Sequence, residues 1–126
     1  MERVTLLQLK EQVRVDADRL GQIYAQLGER SAEDTVCRAM EELAARLAHI
    51  EKLHRKSELA GLQKQVQALV PIAEQIGMPL LAHVAFDVEH AASCGDAVAL
   101  AATLARLLRV GERSLYAVWD LQDLSV

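Results

Sequence analysis

Aromatic residues, glycine and proline are all scarce in this chain of 126 residues. Aromatic residues make up 3%, and there are six glycines and two prolines. So few turn-forming residues argue against a fold of many short strands. Apolar residues nevertheless make up 52%, most of them alanine and leucine. The composition therefore predicts one all-α domain, residues 1–126, with an aliphatic core.

Cysteine pairs, basic stretches and long apolar runs are missing as well. Cys37 and Cys94 are isolated, and no secretory signal precedes them, so we expect two reduced thiols in a cytoplasmic protein. The formal net charge is −4 with no basic face evident, which argues against a nucleic-acid partner. No apolar run has the length of a membrane span, so we expect no membrane partner.

Helical periodicity divides the chain into five predicted helices. We expect the first over Val4–Leu27, the second from an N-cap at Ser31 to about His54, and the third over Leu59–Gly77. Ser57 is the expected cap of the third helix. The fourth is expected to begin with Pro79 at its first position and to end at Gly95. The fifth, capped by Asp96, is expected over residues 97–121, with an inward stripe of Ala101, Leu104, Leu108, Leu115 and Val118.

Short connections between these helices predict antiparallel neighbours. The expected architecture is an up-and-down four-helix bundle over residues 32–122, with an additional N-terminal helix over residues 1–28. That first helix has one apolar face, and two roles are open for it. It either caps the bundle or provides the seam of a homodimer.

The third helix carries two unusual residues. Pro71 lies well inside the helical pattern. Gln67 lies four residues earlier, where its carbonyl would normally accept the helical hydrogen bond from residue 71. At about 100° per residue, both point away from the apolar stripe and should be exposed. Lys64 and Gln75 share that face. Because proline has no N–H, we also expect Pro71 to loosen or kink the helix.

No catalytic motif is evident, and we expect neither an enzyme nor a cofactor. His83, Asp87 and His90 share one helix face and would suit a divalent metal. A solvated polar face explains the same pattern more simply, because no fourth ligand supports the site. His49 and His54 are five residues apart and are interpreted as structural or surface residues.

From about Thr35 onward, roughly three quarters of the chain, the order of features resembles the histidine phosphotransfer (HPt) family. The third helix ends in Ile76-Gly77, as the family's active helix ends in a leucine- or isoleucine-glycine step. A Leu81, Val84, Val88-Glu89 pattern and a Gly95-Asp96 break then follow in the family's order.

When the chain is aligned with the family at Gly77 and Gly95, the family's active motif His-x-Leu-Lys-Gly-Ser falls on residues 67–72 of this chain. Only Leu69 matches. The resemblance places Gln67 at the phosphoacceptor histidine, Val70 at the lysine and Pro71 at the glycine. A carboxamide nitrogen is not nucleophilic as imidazole is, so Gln67 should not accept a phosphoryl group.

The resemblance therefore implies an HPt-like module that binds a response-regulator receiver domain or a histidine kinase without carrying phosphate. Its expected partner-binding face consists of Lys64, Gln67, Val70, Pro71 and Gln75. Phosphorylation of another histidine, His54, His83 or His90, is a less favoured alternative. A second hypothesis is a structural or assembly bundle that dimerises through its N-terminal helix. A metal-dependent activity at His83, Asp87 and His90 ranks last.

Overall fold

The computed structural model describes residues 13–124, with side chains up to residue 122. This part of the chain is all-helical, as predicted, and contains no strand. Its helices are α1 (Ala17–Leu27), α2 (Glu29–Arg55), α3 (Leu59–Gln75), α4 (Pro79–Ser93) and α5 (Ala97–Leu124).

Helices α2 to α5 form the bundle. α2 packs against α3 and α5, and α4 packs against the same two helices. α3 and α5 therefore occupy diagonally opposite corners. The interior is aliphatic, and the side chains that are completely or almost completely buried include Leu43, Ile50, Leu69, Leu81 and Leu107. None of the four aromatic residues is fully buried.

The first helix begins later than predicted. Residues 13–16 are not helical, so the expected helix over Val4–Leu27 is wrong there, and residues 4–12 lie outside the described part. The reason is a cap: the Asp16 carboxylate accepts a hydrogen bond from the backbone N–H of Arg19 at 3.1 Å. The backbone N–H of Asp16 donates to the carbonyl of Gly77 at 2.7 Å. This long-range contact ends the extended segment and starts α1.

α1 lies across one end of the bundle. The Arg19 Nε donates to the carbonyl of Gln75 at 3.0 Å, at the carboxyl end of α3, and the Gln122 amide reaches the Tyr24 hydroxyl at 3.4 Å. Leu20 and Ile23 are only 7% and 5% exposed. Leu20 and Ile23 of α1 are thus packed within the chain, whereas Leu27 is 48% exposed.

Two of the predicted caps are wrong. Ser31 lies inside α2, because Gly28, with φ of 81°, both ends α1 and precedes the first residue of α2. Ser57 ends α2 instead of capping α3. It adopts a left-handed φ of 57°, and the N–H groups of Ser57 and Glu58 return to carbonyls of α2.

The predicted signals around α4 are confirmed. Pro79 occupies the first turn of α4, where no N–H is needed. Gly95 has φ of 70°, and the Asp96 carboxylate accepts from the N–H of Ala99 at 3.0 Å. Asp96 is therefore the cap of α5.

The inward face of α5 differs from its predicted apolar stripe. Ala101 is exposed, whereas Gly111 and Ser114 are buried. A Cβ on Gly111 would lie 2.5 Å from Leu47 Cδ1, so this glycine lets α5 approach α2 closely. An apolar helical pattern does not include glycine or serine, so it did not predict that Gly111 and Ser114 face inward and leave room for close packing.

We expect Gly77→Ala to destabilise the protein more than Gly95→Ala. Both glycines have positive φ, which costs alanine about 1–2 kcal/mol. A Cβ at residue 77 would also lie 2.7 Å from the Asp16 carbonyl oxygen, whereas one at residue 95 meets nothing within 4 Å. Urea unfolding should show an additional loss of about 1 kcal/mol or more for Gly77→Ala. Equal losses would mean that the Asp16 contact does not restrict this turn.

Candidate functional site on the α3–α4 face

Gln67 lies at the middle of α3 and is exposed, as are Lys64, Pro71 and Gln75. The opposite side of the helix carries the buried side chains of Val66 and Leu69. The predicted exposure of Gln67 and Pro71 is confirmed. These residues form one continuous exposed face because they follow the helical repeat away from the core.

Val70 does not belong to that face. It is 8% exposed and belongs to the core cluster, so its placement among partner-binding residues is wrong. At about 100° per residue, Val70 is turned roughly 60° from Gln67 toward the buried side of α3. Position 70 is therefore occupied by a buried, apolar side chain and adds nothing to the exposed face.

The Gln67 side chain is held by the neighbouring helix. Its Nε2 donates to the Glu89 Oε1 of α4 at 2.8 Å. The donor is a neutral amide and the acceptor a carboxylate, so the face carries negative charge beside Gln67. Within the described residues, Glu89 forms no ion pair with a cation.

Pro71 leaves α3 helical on both sides, since the helix runs unbroken from Leu59 to Gln75. Without an N–H, Pro71 cannot donate the usual i to i−4 hydrogen bond to the Gln67 carbonyl. The Gln67 carbonyl therefore lacks its usual helical donor. The expected kink stays a prediction.

Phe86 is a part of this surface that the sequence reasoning missed. It is 55% exposed and lies on α4, three residues before Glu89. Positions three apart are neighbours on a helix, so Phe86 lies one turn from the carboxylate that binds Gln67. The sequence does indicate the exposure of Phe86, because this residue lies outside the apolar stripe of Leu81, Val84 and Val88.

The residues of the metal hypothesis do not converge. His83 and His90 are exposed, and Asp87 pairs with Arg106 of α5, with 3.6 Å between Oδ2 and Nη1. Throughout residues 13–122, no three His, Cys, Asp or Glu side chains are placed to hold one metal ion. Asp87 serves instead as a link between α4 and α5.

The remaining candidate side chains are scattered. Cys37 is half-buried, while Cys94 is exposed with its Sγ 3.7 Å from His90 Nε2. His49 is exposed on α2 and His54 is half-buried near the end of that helix. None of them lies on α3, and no helix in residues 13–124 combines the length and apolarity needed to cross a bilayer.

Comparison of the chain with protein-family models, with curated proteins and with solved structures finds no match.

We expect the Gln67–Glu89 hydrogen bond to contribute little to folding. Both side chains are open to solvent to some degree, so a double-mutant cycle of Gln67→Ala and Glu89→Ala should give a coupling of about 0.5–1 kcal/mol. A second cycle with Gln67→Ala and Asp87→Ala should give none, because those side chains share no bond. A coupling several times larger would make this pair a structural element of the bundle.

Proposed function

We propose that this protein is an HPt-like signalling module that binds a receiver domain or a histidine kinase through its α3–α4 face and does not carry phosphate itself. The observation that carries the proposal is the placement of Gln67. It is exposed at the middle of the second bundle helix. The sequence resemblance assigns this position to the family's phosphoacceptor.

The chemistry of the face supports binding without transfer. The amide of Gln67 offers no nucleophile, and its Nε2 is already hydrogen-bonded to Glu89. The lysine that would steady a phosphoryl group is replaced by Val70, which is buried. Neither the attacking atom nor its electrostatic support is therefore present.

The composition of the face suits a protein partner. Phe86 gives an exposed aromatic anchor, and Lys64 gives a cation on the α3 side. Aromatic side chains dominate the energy of many interfaces, whereas charges at the rim govern encounter and specificity. A partner with an apolar pocket, an acidic group opposite Lys64 and a basic group opposite Glu89 would match this arrangement.

The alternative of an assembly bundle joined through its N-terminal helix has less support. The described part of that helix buries Leu20 and Ile23 in the chain's own core, so of its large aliphatic side chains only Leu27, 48% exposed, is left for contact with a second copy.

We expect calorimetry against a set of receiver domains and histidine-kinase domains to identify a partner whose binding needs the α3–α4 face. Phe86→Ala and Lys64→Glu should each raise its Kd by about tenfold. Lys52→Glu is the matched control, because Lys52 is an exposed lysine on α2. Equal effects of the two lysine substitutions would contradict binding at this face, and no binding to any domain would remove the proposed partner class.

We also expect no acid-labile phosphate on the protein after incubation with a phosphorylated receiver. Gln67→His should acquire a measurable label, since it puts an imidazole at an exposed position in the acceptor register. Acid-labile phosphohistidine on the unmodified chain would overturn the non-carrying part of the proposal and would point to His54, His83 or His90.

A further inference from the structure

The outward face of α5 carries a regular stripe of exposed residues. These residues, called the α5 stripe below, are Val98, Ala102, Ala105, Arg109, Glu112, Tyr116 and Trp119. Successive members are separated by four and three residues in strict alternation. This is the spacing of a helix–helix seam, and it runs for about 32 Å along the helix.

The stripe is not needed by the chain's own core. The bundle interior receives the opposite side of α5, through residues such as Leu104, Leu107 and Val118. On the outward side, Val98 is 81% exposed, Tyr116 64% and Trp119 55%. An acidic, aliphatic-cored protein thus displays half of its aromatic residues on a single helix face.

The six stripe residues from Ala102 to Trp119 are complementary to one another when the stripe is reversed, while Val98 maps onto position 123, outside the stripe. A two-fold rotation about an axis through the midpoint between Arg109 and Glu112 brings each of these residues to the position of the other. The same operation brings Ala105 to Tyr116 and Ala102 to Trp119. Each large ring then faces an alanine, and each cation faces an anion.

We propose that the α5 stripe binds the α5 stripe of a second copy of this chain, in antiparallel orientation about a two-fold axis. A two-fold interface requires a surface that matches itself, and both the side-chain sizes and the charges of the stripe meet that requirement. By symmetry, Arg109 and Glu112 form two ion pairs between the copies.

The charges of the stripe are available for this pairing. Arg109 and Glu112 are exposed, and neither forms an ion pair with another residue in the described part of the chain. The apolar surface also extends sideways onto α2. A groove of about 330 Å³ beside the stripe is lined by Met40 and Leu115 together with Glu112, Tyr116 and Trp119.

This pairing leaves the α3–α4 face open. α3 lies diagonally across the bundle from α5, so Gln67 is remote from the proposed seam. A dimer would therefore present two copies of that face to solvent. The proposed dimer does not depend on the proposed function, since it rests on α5 alone.

The test is sedimentation velocity of the full chain over the micromolar concentration range. We expect a monomer–dimer equilibrium for the unmodified protein. Arg109→Glu and Glu112→Arg should each raise the dimer Kd by about tenfold or more, because like charges then meet at both symmetric positions. An equimolar mixture of the two variants should form a heterodimer, and the double variant Arg109→Glu/Glu112→Arg should regain the homodimer.

Circular dichroism melting checks that each variant is folded, and Phe86→Ala, on α4, should dimerise like the unmodified protein. A monomer at every concentration would overturn the proposal. So would single charge variants that dimerise normally, or a folded double variant that stays monomeric. Combined Tyr116→Ala and Trp119→Ala should also weaken the dimer, and an unchanged Kd there would place the seam elsewhere.

Discussion

The close approach of Asp16 to Gly77 closes one end of the bundle, and much of the structure depends on it. The two backbones are joined by a 2.7 Å hydrogen bond, and a glycine at positive φ leaves the space for it. From this point α1 starts, and Arg19 reaches the carbonyl of Gln75. The apolar side of α1 is thereby turned into the core. Without the contact, Leu20 and Ile23 would be exposed and would compete with α5 as a seam for association.

With that end closed, the remaining surface separates into two regions with different chemistry. The α3–α4 face joins Gln67 to Glu89 and adds an exposed Phe86 beside them. The outward face of α5 carries small aliphatic side chains in its first half and aromatic side chains in its second. Because α3 and α5 lie at diagonal corners, one region can be occupied while the other stays open. The aliphatic core makes this division possible, since the aromatic residues Phe86, Tyr116 and Trp119 are left for the surface.

Local signals in the sequence predicted the ends of some helices well and of others poorly. Pro79 and Asp96 act through their own backbone or the next turn, so the sequence around them suffices. Ser31 and Ser57 have the right chemistry for caps, but Gly28 and the left-handed turn at Ser57 end or begin the helices elsewhere. A capping side chain is decisive only where the backbone also leaves the helix.

The sequence by itself determined the helical class, the aliphatic core and the outward direction of Gln67 and Pro71. Each of these follows from composition or from the helical repeat, which depends only on spacing along the chain. The tertiary structure decided which residues at the edges of the buried helix faces are covered by neighbouring helices. Neighbouring helices bury Val70, Gly111 and Ser114 but leave Phe86 open, and these outcomes depend on packing between residues distant in sequence. The late start of α1 combines both causes, because the local cap at Asp16 is joined by a backbone hydrogen bond to Gly77, 61 positions away.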